Sequence, residues 1–153
     1  ELPKLPKREK ASEVGYSALA ALNLRGHVFL VRRKGGSLLP DELWELPHVP
    51  VAACDVGAWL DIHVRKSQPV GKITQSIMKY RLTVNLQMGQ WTGFGYYWGP
   101  SYMLQSMRRI RPSRALGGDA RIIEGGWFKP SELDALPMAS ITRKLLRLAK
   151  LLP

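Results

Sequence analysis

One cysteine, Cys54, stands in 153 residues. A lone thiol excludes an internal disulfide and any four-cysteine metal site. It reads as a small buried apolar group rather than a nucleophile, and an intracellular protein is the simplest expectation. Long apolar runs are missing too. The longest, residues 18–22 and 28–31, are far too short to span a bilayer, so no membrane association is expected. Residues 1–10 are basic and proline-containing rather than apolar, unlike a secretory signal peptide. The sequence opens on Glu1 instead of Met, which suggests a processed or excised piece. The third absence is of negative charge. From Ile62 to Gly118 there is no Asp or Glu, while nine cations occur: Arg65, Lys66, Lys72, Lys79, Arg81, Arg108, Arg109, Arg111 and Arg114. Solvated surfaces usually mix both signs, because like charges repel their neighbours.

What is present is enough for one globular domain. Apolar residues make up 45% of the chain, which excludes disorder by composition. The length suits a single core. A formal net charge of +11 favours a polyanionic partner, nucleic acid or an acidic membrane surface. The alternative is an incidentally basic surface.

Periodicity divides the chain into short elements. Residues 1–12 read as a linker, solvated by charge and stiffened by proline. Residues 14–22 and 27–32 read as strands joined through Asn23-Leu24-Arg25-Gly26, where Gly26 can take a positive φ. Residues 54–62 carry a short helical pattern. Residues 70–73 and 80–88 are further strands. In the second, Leu82, Val84, Leu86 and Met88 alternate with Arg81, Thr83, Asn85 and Gln87. Residues 91–121 form an aromatic and arginine-rich insertion with no firm period beyond a helical pattern at 102–110. Residues 121–128 read as the last strand, and Ser131 caps a short helix with Asp134 three residues on. Ser140 caps the terminal helix, whose apolar stripe is Ile141, Leu145, Leu148 and Leu152. The expected class is α+β, with a mixed sheet flanked by helices.

Three segments carry a family resemblance. They are HVFLVRRKGGSLLPDELWELP at residues 27–47, GKITQSIMKYRLTVNL at 71–86, and GWFKPSELDALPMASITRKLL at 126–146. In order and spacing they resemble the C-terminal domain of MutY-type adenine DNA glycosylases, and together span 58 of the 153 residues. The resemblance implies a Nudix-like fold (an α/β sandwich) over residues 13–153. It also implies a DNA-binding role in base excision repair, in which this domain checks for 8-oxoguanine while a separate catalytic domain cleaves adenine opposite it. The implied partners are double-stranded DNA bearing 8-oxoguanine opposite adenine, and that catalytic domain. No cofactor is implied for this chain, since the iron–sulfur cluster belongs to the catalytic domain and needs four cysteines. A cytoplasmic, nucleoid-associated location would follow in a bacterium.

An active Nudix hydrolase would need a box of glutamates holding Mg²⁺ against a diphosphate. The corresponding residues 47–62 offer only Asp55 and Asp61, six apart and ill-matched to one helix face. This chain alone is therefore expected to be non-catalytic. The alternatives are an active nucleotide hydrolase and a protein-interaction module with incidental charge.

The lesion-facing position departs from the family. Ile77, Met78 and Lys79 stand where the resemblance implies Phe, Ser or Thr, and His. A hydroxyl can both donate to and accept from 8-oxoguanine, whereas Met78 cannot donate and Lys79 cannot accept. Ser76 or Thr74 can supply the hydroxyl, Lys79 can donate to the lesion or a phosphate, or Met78 can wedge beside a base step. Alternatively Ile77 and Met78 only pack. The candidate DNA-contacting residues are Thr74, Gln75, Ser76, Met78, Lys79 and Arg81, in a turn expected to face DNA. Arg108, Arg109, Arg111 and Arg114 are expected on phosphates, with Arg33 and Lys34 as further candidates. The aromatics of the insertion suit either base stacking or the core, and burial is the commoner fate of large rings.

Overall fold

The computed structural model describes residues 12–35, 38, 41–51, 55–95, 98, 109–112 and 121–153. Residues 1–11, and with them nearly all of the expected linker, lie outside the described residues, as do Cys54 and most of the helical pattern at 102–110. Among the described residues, seven strands occur in chain order, with helices between them: β1 Ser12–Leu22, β2 Val28–Arg33, β3 Trp44–Glu45, β4 His48–Pro50, α1 Val56–Trp59, β5 Ile62–Ile77, β6 Tyr80–Phe94, β7 Ile122–Phe128, a 3-10 turn Pro130–Ala135, and α2 Ser140–Leu148.

The strands form one mixed sheet in the order β3-β2-β1-β6-β5, with β4 also paired to β1 and β7 to β2. β1 lies parallel to β6 along its whole length, from Ser12 opposite Tyr80 to Leu22 opposite Gln90. A strand held inside a sheet with both faces covered reads as continuously apolar, and Ala18, Leu19, Ala20 and Ala21 are all buried. At Leu22 the chain turns through Asn23, whose Oδ1 accepts from the Arg25 and His27 N–H groups. Gly26 takes φ 75°, as expected for this tight connection.

Alternation along the strands sends apolar side chains into two cores, one on each face. Val28, Leu30, Leu82, Val84, Leu86 and Phe128 pack against Ile141, Leu145 and Leu146 of α2. Burying each of those three helix side chains stabilises the fold by about 1.5–3 kcal/mol. On the other face Leu19, Phe29, Val31, Val56, Leu60, Ile62 and Trp127 meet under α1. The described aromatics of the insertion, Trp91, Phe94 and Trp98, join this second core. Trp91 and Phe94 continue β6, and their rings meet Trp127 edge-on or tilted, at centroid distances of 4.9 and 6.1 Å. Trp98 is buried and donates its indole N–H to the Leu60 carbonyl at 2.6 Å. Of the two fates open to these aromatics, Trp91, Phe94 and Trp98 take packing.

Several elements differ from expectation. β5 starts at Ile62 rather than residue 70, and β6 runs six residues past Met88. The first half of β5, IHVRKSQP, reads as loop because it is polar and contains proline. It is an edge strand, where lysine and proline are tolerated since one row of backbone groups faces solvent. α1 has only four residues, because Asp61 turns to φ 53° and Ile62 opens β5. The 3-10 turn is capped from Glu132, which accepts the Lys129 N–H at 3.3 Å, rather than by Ser131 with Asp134. The terminal helix has Ala139 at its cap position and Ser140 as its first helical residue.

Candidate nucleic-acid interface

β5 and β6 form a hairpin whose two-residue turn is Met78-Lys79, set by Ile77 opposite Tyr80. Met78 sits at φ 53°, a conformation glycine takes without strain, and is 94% exposed. The register puts Ser76 opposite Arg81, Thr74 opposite Thr83 and Lys72 opposite Asn85. These six point away from the α2 core, because they alternate with Ile73, Gln75, Leu82 and Val84. All but Thr83 are exposed. Thr74 and Thr83 share a hydroxyl hydrogen bond of 3.2 Å across the pair. α1 covers the same face further along, so the hairpin end remains open and polar.

Thr74, Ser76, Arg81, Met78 and Lys79 therefore come together as a patch with Lys72. Thr74 and Ser76, expected in a turn, lie instead inside β5, and alternation is what aims them outward. Gln75 departs from the expectation altogether. It points to the helix side, where its Nε2 donates to Ser140 Oγ at 3.2 Å and its Oε1 accepts from Lys144 Nζ at 3.0 Å. Lys79 Nζ lies 5.6 Å from the Tyr80 ring centroid. Lys72, Lys79 and Arg81 take part in no ion pair among the described residues. One carboxylate does neighbour the patch: Glu13 of β1 stands in register with Arg81. The alternation of Arg81, Thr83, Asn85 and Gln87 with apolar residues was the sequence signal for this face.

The other candidate cations among the described residues do not extend it. Arg33 is only 6% exposed. Its Nε donates to Glu45 at 3.1 Å and its Nη2 to the His48 carbonyl at 3.1 Å, so it is an interior group rather than a phosphate contact. Lys34 is exposed beyond the end of β2, with its N–H on the Arg121 carbonyl at 2.8 Å. Arg65 donates to Gln90 at 2.9 Å on the α2 side of the hairpin. Arg109 and Arg111 line a cavity with Arg32 and Glu124, away from the hairpin. Arg108 and Arg114 lie outside the described residues. Among the described residues, the cations of the acid-free stretch are thus divided between regions rather than gathered on one face.

The carboxylates near α1 do not fit a divalent cation. Asp55 caps the helix, its Oδ1 accepting from Gly57 at 2.7 Å and Ala58 at 3.3 Å. Asp61 lies beyond the helix at a reversed backbone angle. Among the described residues no three His, Cys, Asp or Glu side chains gather as a metal site. Beside α1, Ser17, Asp55, Ser67 and Gln87 line a polar cavity of about 190 Å³, in which Ser67 donates to Gln87 at 2.8 Å. None of the described helices is long and apolar enough to cross a membrane.

No protein-family model matches the chain, and no curated protein does. Solved structures match over nearly its full length. The MutT protein from Methanosarcina mazei Go1 superposes with a TM-score of 0.64 at 12% identity, over 92% of this chain and 96% of that one. The NUDIX domain of Shewanella oneidensis NrtR, solved with ADP ribose, gives 0.63 at 13% identity, over 96% and 92%. The C-terminal domain of mouse MUTYH, solved in complex with human PCNA, gives 0.55 at 14% identity, over 90% and 87%. Together with the mixed sheet between α1 and α2, these likenesses establish a Nudix-like α+β fold for this chain.

Proposed function

We propose that this chain is a non-catalytic, DNA-contacting Nudix-like domain, holding duplex DNA against the β5–β6 hairpin as the lesion-checking part of an adenine glycosylase. One observation carries the reading. Lys72, Thr74, Ser76, Arg81, Thr83 and Asn85 share one face of a hairpin that itself contains no carboxylate, and Met78 projects from its tip. Cations and hydroxyls in two adjacent rows suit a phosphate backbone, to which Arg, Lys, Ser and Thr side chains all donate. An exposed thioether on a narrow turn suits a base step, into which apolar side chains insert when a duplex is kinked. In this reading Met78 tests how easily the base pair unstacks, and Ser76 supplies the hydroxyl. The catalytic domain would be the second partner.

The competing reading is a metal-dependent nucleotide hydrolase, since two fold neighbours, from Nitrosomonas europaea and Burkholderia pseudomallei, are NUDIX hydrolases. The occupied cap role of Asp55 and the four-residue α1 count against it. Fluorescence anisotropy with duplexes carrying 8-oxoguanine opposite adenine, guanine opposite adenine, or neither separates the readings. Each neutralised phosphate steepens the log–log salt slope by about 0.9. The proposal expects a slope of about −2.7 or steeper from Lys72, Lys79 and Arg81, and tighter binding to the lesion duplex. Salt-insensitive or undetectable duplex binding, or Mg²⁺-dependent turnover of nucleotides, would overturn it.

A further inference from the structure

We propose that the cavity lined by Arg32, Arg109 and Arg111 is a separate anion site, built for a phosphate monoester and lying on the opposite face of the sheet from the hairpin patch. Strand alternation fixes the side. Arg32 follows Val28 and Leu30 on the α2 face, and its guanidinium lies 5.7 Å from the ring centroid of Trp44, a member of that core. Lys72, Thr74, Ser76 and Arg81 project from the other face. A single duplex contact surface does not include both.

The site is held in place on three sides. Ile110 is buried in the α1-side core and makes paired backbone hydrogen bonds with Gly125, at 2.7 and 2.8 Å. Its exposed neighbours Arg109 and Arg111 are thereby pinned beside β7, and both line the cavity. Arg32 is oriented by three contacts. Its Nε donates to the Glu42 carbonyl at 3.1 Å, its central carbon lies over the Trp44 ring, and its Nη1 donates to Glu124. That leaves the Nη2 edge of a positioned fork for a ligand. Guanidinium groups held this way recognise tetrahedral oxyanions through paired N–H donors.

Charge selects among phosphates. Among the described lining residues, three guanidinium groups and one carboxylate, Glu124, give a net charge of about +2. A phosphate monoester carries roughly −1.5 to −2 at neutral pH, whereas a backbone diester carries one charge. The monoester is the better match. The cavity, about 490 Å³, also has room for a nucleoside behind the phosphate, with Pro112 and Ile123 as apolar wall. The monoester can thus arrive as free phosphate, as a mononucleotide, or as the 5′ end of a nucleic-acid strand.

The test uses ³¹P line broadening with inorganic phosphate, and anisotropy with one oligonucleotide carrying either a 5′-phosphate or a 5′-hydroxyl. Because Arg109 and Arg111 are exposed, R109Q/R111Q should keep the parent melting curve. It should lose phosphate binding by about tenfold or more per guanidinium removed. K72Q/R81Q should leave phosphate binding unchanged. A 5′-phosphate preference that disappears in R109Q/R111Q supports the site and assigns it to strand ends; phosphate and mononucleotide binding without that preference supports it and assigns small molecules. Affinity should also fall as pH drops below about 6, where the monoester dianion takes up a proton, while sulfate binding holds. Phosphate binding that survives R109Q/R111Q, that is lost equally in K72Q/R81Q, or that is absent in the parent would overturn the proposal.

Discussion

Replacing Arg33 by Met separates an interior arginine from a DNA-contacting one. The Arg33 side chain is 7% exposed and that of Glu45 4%. The guanidinium neutralises Glu45 at 3.1 Å and donates to the His48 carbonyl at 3.1 Å, and His48 Nδ1 lies 3.5 Å from the same carboxylate oxygen. Methionine fills most of the space but leaves a buried carboxylate without its main counter-charge. Breaking a buried pair from one side costs about 3–5 kcal/mol. A domain of this size has about 5–15 kcal/mol in total. At roughly 2–4 °C per kcal/mol, the melting temperature should drop by about 6–20 °C, read by circular dichroism. Removing both charges in R33M/E45Q should recover a large part of the loss, because no uncompensated ion then remains inside. At a temperature where R33M is folded, its duplex affinity and salt slope should equal the parent's. An R33M protein that melts within about 2 °C of the parent but binds duplex more weakly would refute the assignment of Arg33 to the interior.

Three further outcomes follow from the same geometry. K72Q/R81Q should flatten the log–log salt dependence of duplex binding by about 1.8, with no change in melting temperature, since both side chains are solvated. Met78→Gly should raise stability by about 0.5–1 kcal/mol, by relieving the positive φ. In the same variant the preference for the 8-oxoguanine duplex should weaken, measured by melting and anisotropy on one preparation. Gly125→Ala should destabilise by about 1–3 kcal/mol in chemical denaturation, because the added Cβ would lie 2.5 Å from the Phe29 ring and 3.0 Å from Trp98.

Local pattern was sufficient for much of this molecule. The class, the order of the principal strands, the polar face of β6, the apolar stripe of α2 and the turn at Gly26 all depend on interactions between residues close in the chain. Such interactions leave a period or a turn residue behind. Other features depended on what lies alongside. The polar residues of β5 are a strand only because β6 pairs with them, and only an edge position tolerates that composition. Gln75 and Ser76 are adjacent and chemically similar, yet the pleat sends one to Ser140 and Lys144 and the other to solvent. Arg32 and Arg33 are likewise indistinguishable as letters. Glu124 and Trp44 meet the first at the rim of a cavity, while Glu45 and His48 enclose the second. Charge content is a property of the sequence, but whether a cation faces a partner or an internal carboxylate is decided by residues distant in the chain, which only tertiary packing brings together.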